Sequence, residues 1–212
     1  MVAIAILAVA FVALTMALAA GLFTAFDLQV GRAMHDIWRE SLHGVFQGIA
    51  ELGGVELTSA LMAGLVVYLW RAGFGSDALV VLVFVAAVAL EVLYKHMLHQ
   101  PGPPLSISHQ DGPSLSELLP GATGGNSFPS GHMVRSVVAF GLLAFVIRRL
   151  TTSWWIRVLA FPLATLLIVI VAFDRLYLDV HWESDVVGGL LLGAIALLAG
   201  TIWLDRPRKA EN

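Results

Sequence analysis

From Val2 to Phe26 the chain carries no charged side chain, and apolar runs of similar character recur down the sequence. About twenty such residues in a helix span the hydrocarbon of a bilayer, and a helix satisfies its own backbone there. With 58% hydrophobic and only 13% charged residues, a chain of 212 residues cannot hide this surface in a soluble core. The fold is therefore read as all-α, a single membrane domain over 1–212 built as a six-helix transmembrane bundle. The spans fall at about 2–26, 54–70, 77–97, 131–147, 154–174 and 183–204. The ALAA at 17–20 resembles a signal-peptidase site, but the apolar run exceeds a signal core and is read as a retained first span.

Between the first two spans, Met34, Ile37, Trp38, Leu42, Val45, Phe46 and Ile49 recur at helical spacing, with Arg32, Asp36, Arg39, Glu40 and Gln47 on other faces. This is the pattern of one amphipathic helix, lying in the interface or packed on the bundle. Arg71, Arg148, Arg149, Arg157, Arg206, Arg208 and Lys209 gather at one end of the spans, while Arg32, Arg39, Lys95, Arg135 and Arg175 lie toward the other. Basic loops stay on the cytoplasmic side, so both termini are expected in the cytoplasm and the second group on the outer face. The lack of cysteine excludes disulfides and thiolate metal sites, and a net charge of -3 without a basic cluster offers nothing to nucleic acid.

Three short polar islands fall at the expected outer ends: KHMLHQPGP at 95–103, PSGH at 129–132 and RLYLDVHWESD at 175–185. Charge this close to a bilayer core is costly and marks function. His181 and Asp185 stand one helical turn apart, so the carboxylate can fix the imidazole tautomer and leave the other nitrogen free to attack. A helix-terminal histidine satisfied by a neighbouring acid has the same spacing. At 129–132 a proline and glycine turn leads into a helix whose free N–H groups suit an anion. Ser130 either donates to that anion or caps the helix, and His132 is suited to protonate a departing alkoxide. Lys95 and Arg175 either snorkel to the headgroups or hold phosphoryl oxygens. His96 and His99 lack acidic companions and are read as loop histidines. A nucleophile, an acid and two cations at one face suit the cleavage of a phosphate ester.

These residues resemble the type 2 phosphatidic acid phosphatase (PAP2) superfamily of membrane lipid phosphatases, whose motifs read Lys-x6-Arg-Pro, Pro-Ser-Gly-His and Ser-Arg-x5-His-x3-Asp. The second motif is complete at Pro129, Ser130, Gly131 and His132. The third is met by Arg175, His181 and Asp185, with Asp174 replacing its serine. The first keeps Lys95 and Pro103 but has Gly102 where arginine is expected. The resemblance implies that His181 attacks phosphorus to form a phosphohistidine, that Asp185 orients it, and that His132 protonates the leaving group. Lys95, Ser130, Gly131 and Arg175 then bind the phosphoryl oxygens, with no metal and no cofactor.

Gly102 removes one cation from that set. Arg135, one turn after His132 and within an apolar span, either replaces it as a phosphate ligand or pairs with Glu91 or another carboxylate. Asp174 orients Arg175, faces water or repels a substrate anion. The polar segment at 101–128 is expected as a long extracytoplasmic loop over the site, with Leu115, Leu118 and Leu119 as a short amphipathic piece. The expected function is hydrolysis of a lipid phosphomonoester or pyrophosphate, namely polyprenyl pyrophosphate, phosphatidylglycerol phosphate or phosphatidic acid, at the outer face of a bacterial cytoplasmic membrane. The expected partners are that lipid phosphate and the surrounding membrane lipids, with no nucleic acid; oligomeric state is not legible. A phosphotransferase using a lipid phosphate donor, and a noncatalytic lipid-phosphate binder or transporter, are the alternatives. Retention of His132, His181 and Asp185 argues for chemistry over binding alone.

Overall fold

The computed structural model describes residues 1–104, 106–110 and 125–207. Eight α-helices order these residues: α1 (Val2–Ala19), α2 (Thr24–Ile37), α3 (His43–Ala50), α4 (Val55–Arg71), α5 (Val81–Met97), α6 (Gly131–Leu150), α7 (Trp154–Tyr177) and α8 (Glu183–Leu204). Short 3₁₀ turns at Glu40–Leu42, Glu51–Gly53 and Asp77–Val80 lead into or join them. Leu115, Leu118 and Leu119, like Arg208 and Lys209 of the tail, lie outside the described residues.

Among the described residues, five stretches are long and apolar enough to cross a membrane: Val2–Ala19, Glu40–Arg71, Asp77–Met97, Trp154–Tyr177 and Glu183–Leu204. α6 packs against α4, α5, α7 and α8 and buries 14 of its 20 residues, while α1 packs against α8. The outer helices have the opposite distribution. Ile6, Val9 and Met16 of α1 and Leu159, Leu163, Leu166 and Val169 of α7 are exposed, as apolar faces turned to lipid are. α8 lies so close to α6 that a Cβ on Gly189 would stand 2.5 Å from the Ser130 carbonyl oxygen. Small residues allow such approach where no hydrophobic effect drives helices together.

Two expectations need correction. The first apolar helix stops at Ala19, and Gly21 turns the chain with φ +72, a conformation glycine adopts without strain. The 2–26 run is therefore α1 plus the start of α2. The single amphipathic helix between the first spans is two helices, α2 and α3, separated by extended backbone at Trp38 and Arg39. Tertiary partners cause the break. The Arg39 N–H donates to the Tyr177 hydroxyl at 2.8 Å, and the Trp38 ring stacks on His109 at 4.0 Å. Both helices pack on the bundle, α2 against α7 and α8 and α3 against α7.

Helix direction sorts the polar groups. The start of α6 and α8 and the end of α5 and α7 share one end of the bundle, and these carry the three islands. At the other end Asp77 draws Arg149 to 3.4 Å and Arg206 to 3.2 Å.

Candidate active site

The three islands are tied together by hydrogen bonds before any side chain of the site is considered. The Ser130 N–H donates to the Asp185 carbonyl at 3.0 Å, joining the second island to the third. Trp182 Nε1 donates to the Pro101 carbonyl at 2.9 Å, joining the third to the first. Ser127 N–H to Gln100 O at 2.9 Å and Asn126 Nδ2 to Lys95 O at 2.8 Å close the ring.

His181 sits in the turn between α7 and α8, and Asp185 in the first turn of α8. Asp185 Oδ2 lies 3.4 Å from His181 Nδ1 and accepts the Trp182 N–H at 2.9 Å, so the helix cap holds the carboxylate in place. Burial pushes the His181 imidazole below its usual 6.5; the Asp185 hydrogen bond opposes that, and Lys95 and Arg175 add to the lowering. The ring is neutral at pH 7, the form in which a nitrogen lone pair is available.

His132, in the first turn of α6, lies between two guanidinium groups. Arg135 Nη2 is 3.5 Å from its Nδ1, and Arg175 Nη1 is 3.4 Å from its Nε2. A neutral imidazole accepts at one nitrogen and donates at the other, so one of these contacts sets N–H against N–H. An anionic oxygen between the two donors resolves the conflict.

The contacts bear on several alternatives left open by the sequence. Arg135 is paired with Glu91: its Nη1 donates to Glu91 Oε2 at 3.1 Å and its Nε to the Gly53 carbonyl at 3.2 Å. The other Glu91 oxygen takes Lys95 Nζ at 3.0 Å, so Lys95 is drawn inward rather than out to the headgroups. Ser130 stands at the N-cap of α6 but makes no capping hydrogen bond, and its buried Oγ has no partner among the described residues. Asp174 does not face water; it is fully buried and accepts from Arg175 Nε at 2.9 Å and from Nη2. His96 and His99 are exposed.

Packing by itself requires glycine at 131. A Cβ there would lie 2.0 Å from Glu91 Oε1 and 2.7 Å from Arg135 Nη1, so the residue makes room for the ion pair beneath the site. Gly102 contributes only backbone: its N–H donates to Gly125 O at 3.0 Å. Sequence reasoning missed two participants. Gln110 Oε1 accepts from Arg175 Nη1 at 3.3 Å, and no local pattern marks it. Asp27 of α2 accepts the N–H of Ser184 at 3.0 Å and its hydroxyl at 2.8 Å, fixing the start of α8. A lone acid directly after a long apolar run was the available signal.

The arrangement holds a neutral imidazole oriented by a carboxylate, a second imidazole facing two guanidinium groups, and a serine hydroxyl with no partner among the described residues. A family model of the PAP2 superfamily matches residues 76–209, well over half of the chain. The chain belongs to the PAP2 superfamily.

As a PAP2 member it is similar to the bacitracin transport permease protein BcrC of Bacillus licheniformis, with 29% identity over 180 residues, 83% of this chain and 79% of that protein. An undecaprenyl-diphosphatase of Sulfolobus acidocaldarius is 36% identical over 84 residues, 39% of this chain and 36% of that protein. The chain spans only 20% to 36% of the length of the curated relatives other than BcrC that it matches. Among solved structures, a transmembrane PAP2 type phosphatidylglycerolphosphate phosphatase from Bacillus subtilis superposes with a TM-score of 0.82 at 22% identity, covering 100% of both chains. The PAP2 transmembrane fold is thus shared along the whole length.

Proposed function

We propose that this PAP2 member is a membrane lipid phosphatase that hydrolyses a polyprenyl diphosphate or a related lipid phosphate through a phosphohistidine. The observation that carries the reading is His132 between Arg135 and Arg175, because it sets N–H against N–H at a place that an anionic oxygen suits. His181 Nδ1, bonded to Asp185, leaves Nε2 to attack phosphorus as the bond to the leaving oxygen breaks. His132 acts as the imidazolium beside the bound phosphoryl anion: its Nε2 proton passes to the departing oxygen and a neutral ring remains, held in place by the Arg135 contact at Nδ1. Water then attacks phosphorus as the P–N bond breaks, neutral His132 takes the water proton, and inorganic phosphate leaves with His181 restored. Arg175, Lys95, Ser130 Oγ and the N-terminal N–H groups of α6 stabilise the phosphoryl oxygens in both steps.

In this reading α6 and the five apolar stretches make six spans, the termini lie in the cytoplasm, and the site and the 101–128 loop lie outside. The undecaprenyl-diphosphatase name of the Sulfolobus relative supports a polyprenyl substrate. The transport name of BcrC keeps a transporter in view. Against it, the buried acids and arginines of the described residues gather toward the two ends of the bundle and mark no path across its middle.

Phosphate release by the purified full-length chain in detergent with EDTA, on a panel of lipid phosphates and diphosphates, tests the function. Turnover that survives EDTA and is abolished by His181→Ala is expected. No release from any lipid, or full activity in His181→Ala, overturns it.

A further inference from the structure

We propose that His35, His109 and Asp179 form a binding site for one divalent transition-metal ion of the Zn²⁺ type, apart from the catalytic residues. The three come from α2, from the 106–110 segment and from the turn between α7 and α8, and their ligand atoms all lie within 4.8 Å of one another. His35 Nδ1 stands 3.4 Å from Asp179 Oδ2, and His109 Nε2 stands 3.7 Å from the same oxygen. Ligand atoms about 2.0–2.1 Å from a tetrahedral Zn²⁺ are about 3.3–3.4 Å apart. Shifts of a few tenths of an ångström therefore bring both pairs to coordination geometry.

A second observation points to a cation. His109 Nε2 is buried and makes no hydrogen bond, although it faces a carboxylate that is only 3% exposed. A metal ion between them supplies the partner that each atom favours. Two imidazoles and one carboxylate without a thiolate suit Zn²⁺, whereas Ca²⁺ and Mg²⁺ take oxygen sets. Three protein ligands leave a fourth position for water.

The surroundings already hold His109 in place, as outer contacts do at metal sites. Its ring stacks on Trp38 at 4.0 Å, its carbonyl accepts from Gln47 Nε2 at 2.7 Å, and its N–H donates to Leu178 O at 2.9 Å. The next residue, Gln110, holds Arg175. The ion therefore acts by position: it clamps the 106–110 segment to α2 and to the α7–α8 turn, and through Gln110 steadies the cation that faces His132.

The test uses the full-length protein in detergent, stripped with EDTA and dialysed free of it. It is titrated with Co²⁺, whose visible absorption reports nitrogen and oxygen coordination, then with competing Zn²⁺. Uptake of about one Co²⁺ per chain is expected, displaced by Zn²⁺ and accompanied by a Zn²⁺-dependent rise in Tm. His35→Ala removes a side chain that is 55% exposed, and Asp179→Asn keeps the size and the φ of 51 at that position. Both variants are expected to bind Co²⁺ at least about tenfold more weakly and to lose the Tm rise. His181→Ala is expected to bind it like the parent. Absence of stoichiometric uptake by the parent overturns the site, as does undiminished binding by His35→Ala and Asp179→Asn or an equal loss in His181→Ala. Metal uptake is the readout, so the result stands apart from whether the chain hydrolyses lipid phosphates.

Discussion

Replacing Arg135 with methionine asks what a guanidinium that is 1% exposed does beneath a reaction centre. Methionine keeps much of the stem and its packing while removing the charge. Losing one partner of a buried ion pair costs about 3–5 kcal/mol when the other is left alone. Here Glu91 keeps Lys95 at 3.0 Å, so the stability loss falls to about 2–3 kcal/mol. The catalytic loss follows from the 3.5 Å contact with His132 Nδ1. That contact is long, so its hold on the ring contributes about 1.5 kcal/mol, or about tenfold in rate. The loss should depend on the leaving group, because Arg135 positions the proton donor. A lipid alkyl phosphate, which needs the proton, should show the full drop in kcat. p-Nitrophenyl phosphate, whose phenolate leaves unprotonated, should show almost none, and the Ki of orthovanadate should not move. Steady-state kinetics on both substrates measure this. A drop of about a hundredfold or more on both, with weakened vanadate binding, would refute the reasoning and make Arg135 the replacement for the arginine missing at Gly102.

Ser130→Ala removes an oxygen that has no hydrogen-bond partner among the described residues. Stability should stay within about 0.5 kcal/mol while kcat/KM falls by about a hundredfold; unchanged turnover would take Ser130 out of the site. The pH–rate profile should reflect His181, whose neutral form attacks. Because burial holds its pKa below 6.5, activity should be full at neutral pH and fall only as pH drops through that lowered value. An acid limb centred above 6.5 contradicts the assignment. Asp27→Ala strips both hydrogen bonds from Ser184 and should destabilise the chain by about 1–3 kcal/mol in denaturant unfolding; equal stability would show that α8 needs no such anchor.

The residues legible in the sequence share one property, that local spacing carries their meaning. His181 and Asp185 are one turn apart on any helix, and the run at 183–204 coincides with α8 because no charge interrupts it after Asp185. Where a distant partner decides the outcome, periodicity misleads. The pattern around Trp38 continues as a helix, yet Tyr177 and His109 hold Trp38 and Arg39 extended. The same limit applies to Glu91. Its charge in an apolar helix and its place four residues before Lys95 were visible, but its contact with Gly131 depends on how closely α5 and α6 pack. His35, His109 and Asp179 are far apart in sequence and come together only through the turns that α2 and α7 make.

The hydrogen bond from the Ser130 N–H to the Asp185 carbonyl has a consequence for genetics. It joins the start of α6, where His132 sits, to the start of α8 beside His181, and it belongs wholly to the main chain. Substituting a side chain of the site cannot delete it. Such substitutions can therefore silence the chemistry while leaving acid and nucleophile in register, which makes inactive variants here reporters of single roles rather than of collapse. Vulnerability lies instead in residues with no chemistry at all. Any side chain at Gly189 would press on the Ser130 carbonyl from 2.5 Å and part the two helices, so inactivating mutations are expected to include silent-looking glycines as well as histidines.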